Sequence, residues 1–95
     1  MKYEIMFIVR PNIEENSMKE LIKNFEGVLT SNGAKIESSK EFGQKELAYT
    51  IKGHDHGYYF LYEISSKDDK AQKEFNRLAQ LSEDIIRHMI VKLEK

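Results

Sequence analysis

The sequence predicts an α+β fold in which strand, helix, strand, strand, helix and strand follow one another. Three observations carry this. Two segments, Tyr3–Val9 and Tyr58–Ile64, alternate apolar and other residues with a period of two. Two others place apolar residues at helical spacing. A length of 95 residues suits a single core, so residues 1–95 are read as one domain.

In the first segment Tyr3, Ile5, Phe7 and Val9 form one set, and Glu4, Met6 and Ile8 point the other way. Pro11 stands where this strand ends. From about Asn16 to Ser31, Met18, Leu21, Ile22, Phe25, Val28 and Leu29 make one helical stripe. Ser17 followed by Glu20 fits a capping box, Glu14-Glu15 suits the positive end of the helix dipole, and Asn32-Gly33 supplies a left-handed stop. Ala34–Lys52 is extended. Its apolar residues are even-numbered before Gly43 (Ile36, Phe42) and odd-numbered after it (Leu47, Tyr49, Ile51). One inserted residue inverts every later side chain, so a β-bulge is expected at Gly43.

Gly53-His54-Asp55-His56-Gly57 reads as the turn into the next strand. That strand carries Tyr58, Phe60, Tyr62 and Ile64 on one face. Asp68 or Asp69 starts the second helix, whose stripe is Ala71, Phe75, Leu78 and Ala79, and Ile85–Leu93 is the last strand. This order is the split βαβ, or ferredoxin-like, arrangement: two helices on one face of a four-stranded antiparallel sheet, with the first and third strands central.

Composition narrows the function. The chain is 40% hydrophobic and 33% charged, an ordinary globular balance. With no cysteine, disulfides, thiolate metal sites and cysteine nucleophiles are excluded. The apolar run near the start is interrupted by Glu4 and reads as a strand, not a signal peptide. No apolar stretch approaches the ~18 residues of a membrane span, and the expected compartment is the cytoplasm. The net charge of −1 argues against tight, independent nucleic-acid binding, which usually needs a basic domain.

Two helices cover one face of the sheet. The other face receives Met6 and Ile8 from one central strand and Tyr59 and Leu61 from its neighbour. A solvated sheet face is normally polar, so these four are candidate contacts for a protein partner. His54-Asp55-His56 suggests metal ligation, but three residues in a tight hairpin rarely close a tetrahedral site, and the turn reading is preferred. His88 lies in an apolar strand with no paired nucleophile, and reads as a packed or edge histidine. No metal, cofactor or catalytic residue is expected.

The most distinctive segment is Gly43-Gln44-Lys45-Glu46-Leu47-Ala48-Tyr49-Thr50-Ile51-Lys52. It resembles the signature of the bacterial small-subunit ribosomal protein six family: a glycine, any residue, a basic and a polar residue, Leu-Ala-Tyr, any residue, an aliphatic and then a basic or small polar one. Phe42 stands where the family often has tryptophan. Gln44 and Glu46 stand where it often has basic residues, which lowers the positive charge. The resemblance extends along the chain through Tyr3-Glu4, Arg10-Pro11-Asn12, Gly57-Tyr58-Tyr59 and Ile86-Arg87-His88-Met89-Ile90-Val91.

The resemblance implies a non-enzymatic constituent of the small ribosomal subunit. Such a protein pairs with small-subunit ribosomal protein eighteen and, with it, binds the central domain of small-subunit ribosomal RNA in the ribosome. A basic partner would also supply the phosphate attraction that a near-neutral chain lacks. Candidate RNA contacts are then Lys2, Lys45, Lys52, Arg87 and Lys92, with Tyr49 able to stack or donate a hydrogen bond. Each lysine is equally well read as a solvated charge that guards a strand edge.

Two other functions share this architecture. A stand-alone RNA-recognition motif is faintly echoed in His56-Gly57-Tyr58-Tyr59-Phe60-Leu61, but it needs Tyr58 and Phe60 on the open face, and here they share the core face with Tyr62 and Ile64. An enzyme of acylphosphatase type would need a glycine-rich phosphate loop after the first strand. Val9-Arg10-Pro11-Asn12-Ile13 contains no glycine.

Overall fold

Apolar alternation and the two amphipathic stripes resolve into six elements: β1 (Lys2–Val9), α1 (Glu15–Ser31), β2 (Lys35–Ile51), β3 (His54–Ser65), α2 (Lys70–Leu81) and β4 (Ile85–Leu93). The structure, a computed structural model, describes residues 1–93. The strands form one antiparallel sheet in the order β2-β3-β1-β4. As expected, the two strands with the richest apolar alternation, β1 and β3, take the centre.

Their register places Tyr3 opposite Ile64, Ile5 opposite Tyr62 and Phe7 opposite Phe60. All six are buried on the helix side. The helices meet this layer through Phe25 and Leu29 of α1 and Ala71, Phe75 and Ala79 of α2. The small Ala71 and Ala79 flank Phe75, letting that ring reach the sheet. Phe7 lies at the centre of an aromatic cluster, with ring centroids 5.1 Å from Phe60, 5.6 Å from Phe75, 5.9 Å from Tyr62 and 6.2 Å from Phe25. At its border the Tyr62 hydroxyl donates to Glu26 at 2.5 Å, and burial with the adjacent carboxylate pushes the phenol pKa well above its ordinary value.

Local signals set the boundaries, with three corrections. First, α1 does not begin with the Ser17/Glu20 box. It starts at Glu15, after Glu14 in extended conformation, with no side-chain cap. Ile13 and Met18 occupy the N′ and N4 positions of a hydrophobic staple and both pack on the core, so burial of Ile13 decides where the chain turns into the helix. The other end follows the sequence. Gly33 has φ +91°, its N–H donates to the Thr30 carbonyl, and Ala34 N–H donates to Leu29, a Schellman closure.

Second, the β2–β3 reversal is Lys52-Gly53 alone. Both have positive φ (51° and 82°), the pattern of a type I′ turn, which matches the twist of its flanking strands. His54–Gly57 therefore belong to β3. Third, β2 is irregular in three places, where one was expected. The bulge at Gly43 is present: Glu41 pairs with Phe60 and Gly43 with Tyr59, leaving Phe42 as the extra residue, and Gly43 has φ +77°. A second bulge inserts Glu37, and a third break separates Glu46 from Ile51. At α2, the Asp68 carboxylate accepts from Lys70 N–H at 3.0 Å, and Asp69 pairs with Lys73 at 3.2 Å.

Candidate macromolecular interface

The strand register sets out the helix-free face row by row. Leu61, Met6 and Met89 lie side by side across β3, β1 and β4. Tyr59, Ile8 and Arg87 form the next row. In the other direction Glu63, Glu4 and Val91 follow, then Ser65, Lys2 and Leu93. Met6, Tyr59 and Leu61 are half-buried on this face, where the alternation put them. Ile8 corrects the expectation of an exposed contact: it is 2% exposed. It stands outside the main core cluster, on the opposite side of the sheet, with Gly57 in close approach and the groove under Leu47, Ala48 and Tyr49 above it.

Three apolar residues of β4 extend the face beyond the expected four. Met89 and Val91 are each 43% exposed, and Leu93 is also exposed. A signal for them exists in the odd-numbered alternation of Met89, Val91 and Leu93. Their face, however, depends on pairing with β1, which a strand's own pattern does not state.

The distal part of β2 bends in over this surface. Leu47, Ala48, Tyr49 and Ile51, together with Met6, Ile8, Tyr59, Arg87 and Met89, line a groove of about 220 Å³. Arg87 Nη1 donates to the Tyr49 hydroxyl at 2.8 Å, linking β2 at one edge of the sheet with β4 at the other. Of the candidate RNA contacts, Tyr49 and Arg87 are thus brought together. Lys45 pairs with Gly57 on the neighbouring stretch, its Nζ 5.3 Å from the centroid of the exposed Phe42 ring. Lys52 sits in the reversal beyond. Lys2 lies six residues along β1 from Ile8, roughly 20 Å away. Lys92 pairs with Tyr3 and so belongs to the helix-side register, apart from Arg87.

Other polar residues are held in structural roles. Arg10 Nε meets Asp84 at 2.6 Å, and Arg10 N–H donates to the Asp84 carbonyl, tying the end of β1 to the approach to β4. His56 Nδ1 lies 2.5 Å from Asp55. Among the described residues no cluster of three or more His, Asp or Glu is placed to hold a metal ion.

His88 Nε2 lies 2.8 Å from Asn76 Oδ1, and the ring meets Phe75 edge-on at 6.4 Å. Burial first, and then the positive charge of Lys52, lower its pKa. Because the folded value lies below the unfolded one near 6.5, the unfolded chain binds the proton first. Stability is therefore expected to fall as pH drops below about 6.5. Denaturant midpoints between pH 7.5 and 5.5 should shift less in His88→Gln than in the natural chain; identical shifts would remove His88 as the cause.

The comparisons with known proteins agree with this architecture. Residues 2–92 match the family described as Ribosomal protein S6. The crystal structure of 30S ribosomal protein S6 from Thermotoga maritima superposes with a TM-score of 0.89 at 25% sequence identity, covering 95% of this chain and 84% of that one. With its family pattern matched from the first strand to the last, the chain belongs to the ribosomal protein S6 family.

Proposed function

We propose that this chain is a structural, non-enzymatic component of the small ribosomal subunit, which binds the central domain of small-subunit ribosomal RNA together with small-subunit ribosomal protein eighteen in the cytoplasm. The family match over residues 2–92 carries the ribosomal assignment. The partner-dependent form rests on the helix-free face, where Met6, Tyr59, Leu61, Met89 and Val91 form an apolar surface with Arg87 beside it. A net charge of −1 fits RNA binding shared with a basic partner. Among the described residues no helix is long and apolar enough to cross a membrane.

The stand-alone RNA-recognition motif fits less well. Its stacking rings would have to include Phe60, which is 3% exposed and stacked on Phe7 beneath the helices. Tyr58 packs against the same core.

The test is capture of purified small-subunit protein eighteen, with and without central-domain RNA. The natural chain is expected to bind the protein, and to bind the RNA tightly only when the protein is present. The double variant Met6→Ser/Leu61→Ser should remain folded and lose partner affinity by about tenfold or more, since each side chain contributes roughly 1.5–3 kcal/mol when covered. Tight capture of RNA by this chain alone would contradict the partner-dependent form. Unfolding of the double variant would mean that these residues serve the monomer core.

A further inference from the structure

Beyond Glu46 the hairpin leaves its ladder. Glu46 is opposite His56 and Ile51 is opposite His54, so four residues of β2, 47–50, stand against Asp55 alone. The surplus carries Leu47, Ala48 and Tyr49 over the groove floored by Met6, Ile8, Tyr59 and Met89. This roof is thinly held. Tyr49 is 63% exposed, Ala48 is exposed, and Leu47 and Ile51 are only half-buried. The groove beneath it is unfilled, so the roof forgoes much of the dispersion contact a close-packed layer would make. Its link to the far edge of the sheet is the solvent-exposed hydrogen bond from Arg87 to Tyr49. The irregular Gly43 bulge lies on one side and the Lys52-Gly53 turn on the other.

We propose that residues 47–50 form a strap that swings between this closed position, latched by Tyr49 and Arg87, and an open one that uncovers Met6, Ile8 and Tyr59. The inference rests on reading the helix-free face as the protein-docking surface, and adds that the strap opens before the partner seats. Few buried contacts and an exposed latch are the features of a segment that opens locally while the rest of the fold stays intact. Opening also releases the Arg87 guanidinium and the Tyr49 hydroxyl, which satisfy one another in the closed form.

Amide hydrogen exchange tests the motion. In the natural chain residues 47–50 are expected to exchange faster than β1 and the Tyr58–Ile64 part of β3. Tyr49→Phe, which deletes the latch, should speed them a further threefold to tenfold or so, leaving the helices and β1 unchanged. An unchanged strap, or equal acceleration throughout the sheet, would overturn the proposal.

The coupling to docking can be tested separately because the chain has no cysteine of its own. A Tyr49→Cys/Arg87→Cys variant is bridged by a short bis-maleimide, and compared with the same variant capped by a monofunctional maleimide. The bridged form should capture protein eighteen at least about tenfold more weakly than the capped form, in the absence of RNA. Equal capture would show that docking does not require opening. If neither the natural chain nor the capped variant captures protein eighteen, the docking reading fails, and the exchange experiment still decides whether the strap moves.

Discussion

Replacing Phe7 by alanine is expected to lower the stability of the fold by about 3–5 kcal/mol. The ring is 1% exposed and lies in contact range of Phe25, Phe60, Tyr62 and Phe75, so it joins both central strands to both helices. Removing it forfeits the transfer free energy of a large side chain and leaves a void that four rings, themselves anchored elsewhere, cannot close. Domains of this size typically have only about 5–15 kcal/mol in total, so the variant should sit near the edge of folding. Its thermal midpoint should fall by roughly 4–8 °C for each kcal/mol lost. Phe42→Ala provides the contrast. That ring is 46% exposed and its substitution should change stability by no more than about 0.5 kcal/mol. Denaturant titration at matched m-values decides the matter: a Phe7→Ala loss below about 1 kcal/mol would show that the aromatic cluster is not the centre of the core.

Gly57→Ala should cost about 1–3 kcal/mol although it adds a single methyl group. A Cβ there would lie 2.6 Å from Ile8 Cγ2 and 2.8 Å from the Val9 carbonyl oxygen. The oxygen belongs to the backbone of the central strand and cannot withdraw without disturbing β1. Ile8 is itself enclosed, so its methyl has little room to yield. The cost should fall on the groove as well as on the global fold, because Ile8 forms its floor. Gly27→Ala carries the opposite sign. Gly27 is inside α1, where an added Cβ meets nothing within 4 Å, and alanine should stabilise the helix by roughly 0.5–1 kcal/mol. If the two variants shifted the unfolding midpoint in the same direction, close packing at Gly57 would not be the reason for its glycine.

The helix-side core was legible residue by residue. Tyr3, Ile5, Phe7 and Val9, with Phe60, Tyr62 and Ile64, were separated from their neighbours by a period of two, and Phe25, Leu29, Ala71, Phe75 and Ala79 by helical spacing. Those periods are local, since the backbone alone decides which side chains share a face. The Gly43 bulge was legible for the same reason, as an inversion of phase. The bulge at Glu37 left no such mark, because the residues after it, Ser38-Ser39-Lys40-Glu41, are all polar and show no phase to invert. The serine–glutamate spacing at Ser17 and Glu20 does not cap the helix, because tertiary burial of Ile13 sets the start at Glu15 instead.

The interface was legible only in part. Met6, Tyr59 and Leu61 could be assigned to the helix-free face once β1 and β3 were taken as adjacent. Met89, Val91 and Leu93 could not be joined to them until β4 was paired with β1 in its actual register. Ile8 has the same place as Met6 in the alternation, and differs in the close approach of Gly57, which no spacing along the strand records.

By itself, then, the order of residues determined the element succession, the apolar layer beneath the helices and the family signature at Gly43–Lys52, because each depends on spacing along one stretch of chain. Three-dimensional packing alone decided that the hairpin bends inward, that Tyr49 meets Arg87 thirty-eight positions away, and that Ile8 is sealed while Met89 is open. Those outcomes depend on the curvature of a bulged strand and on distances between segments remote in sequence, which no local period records.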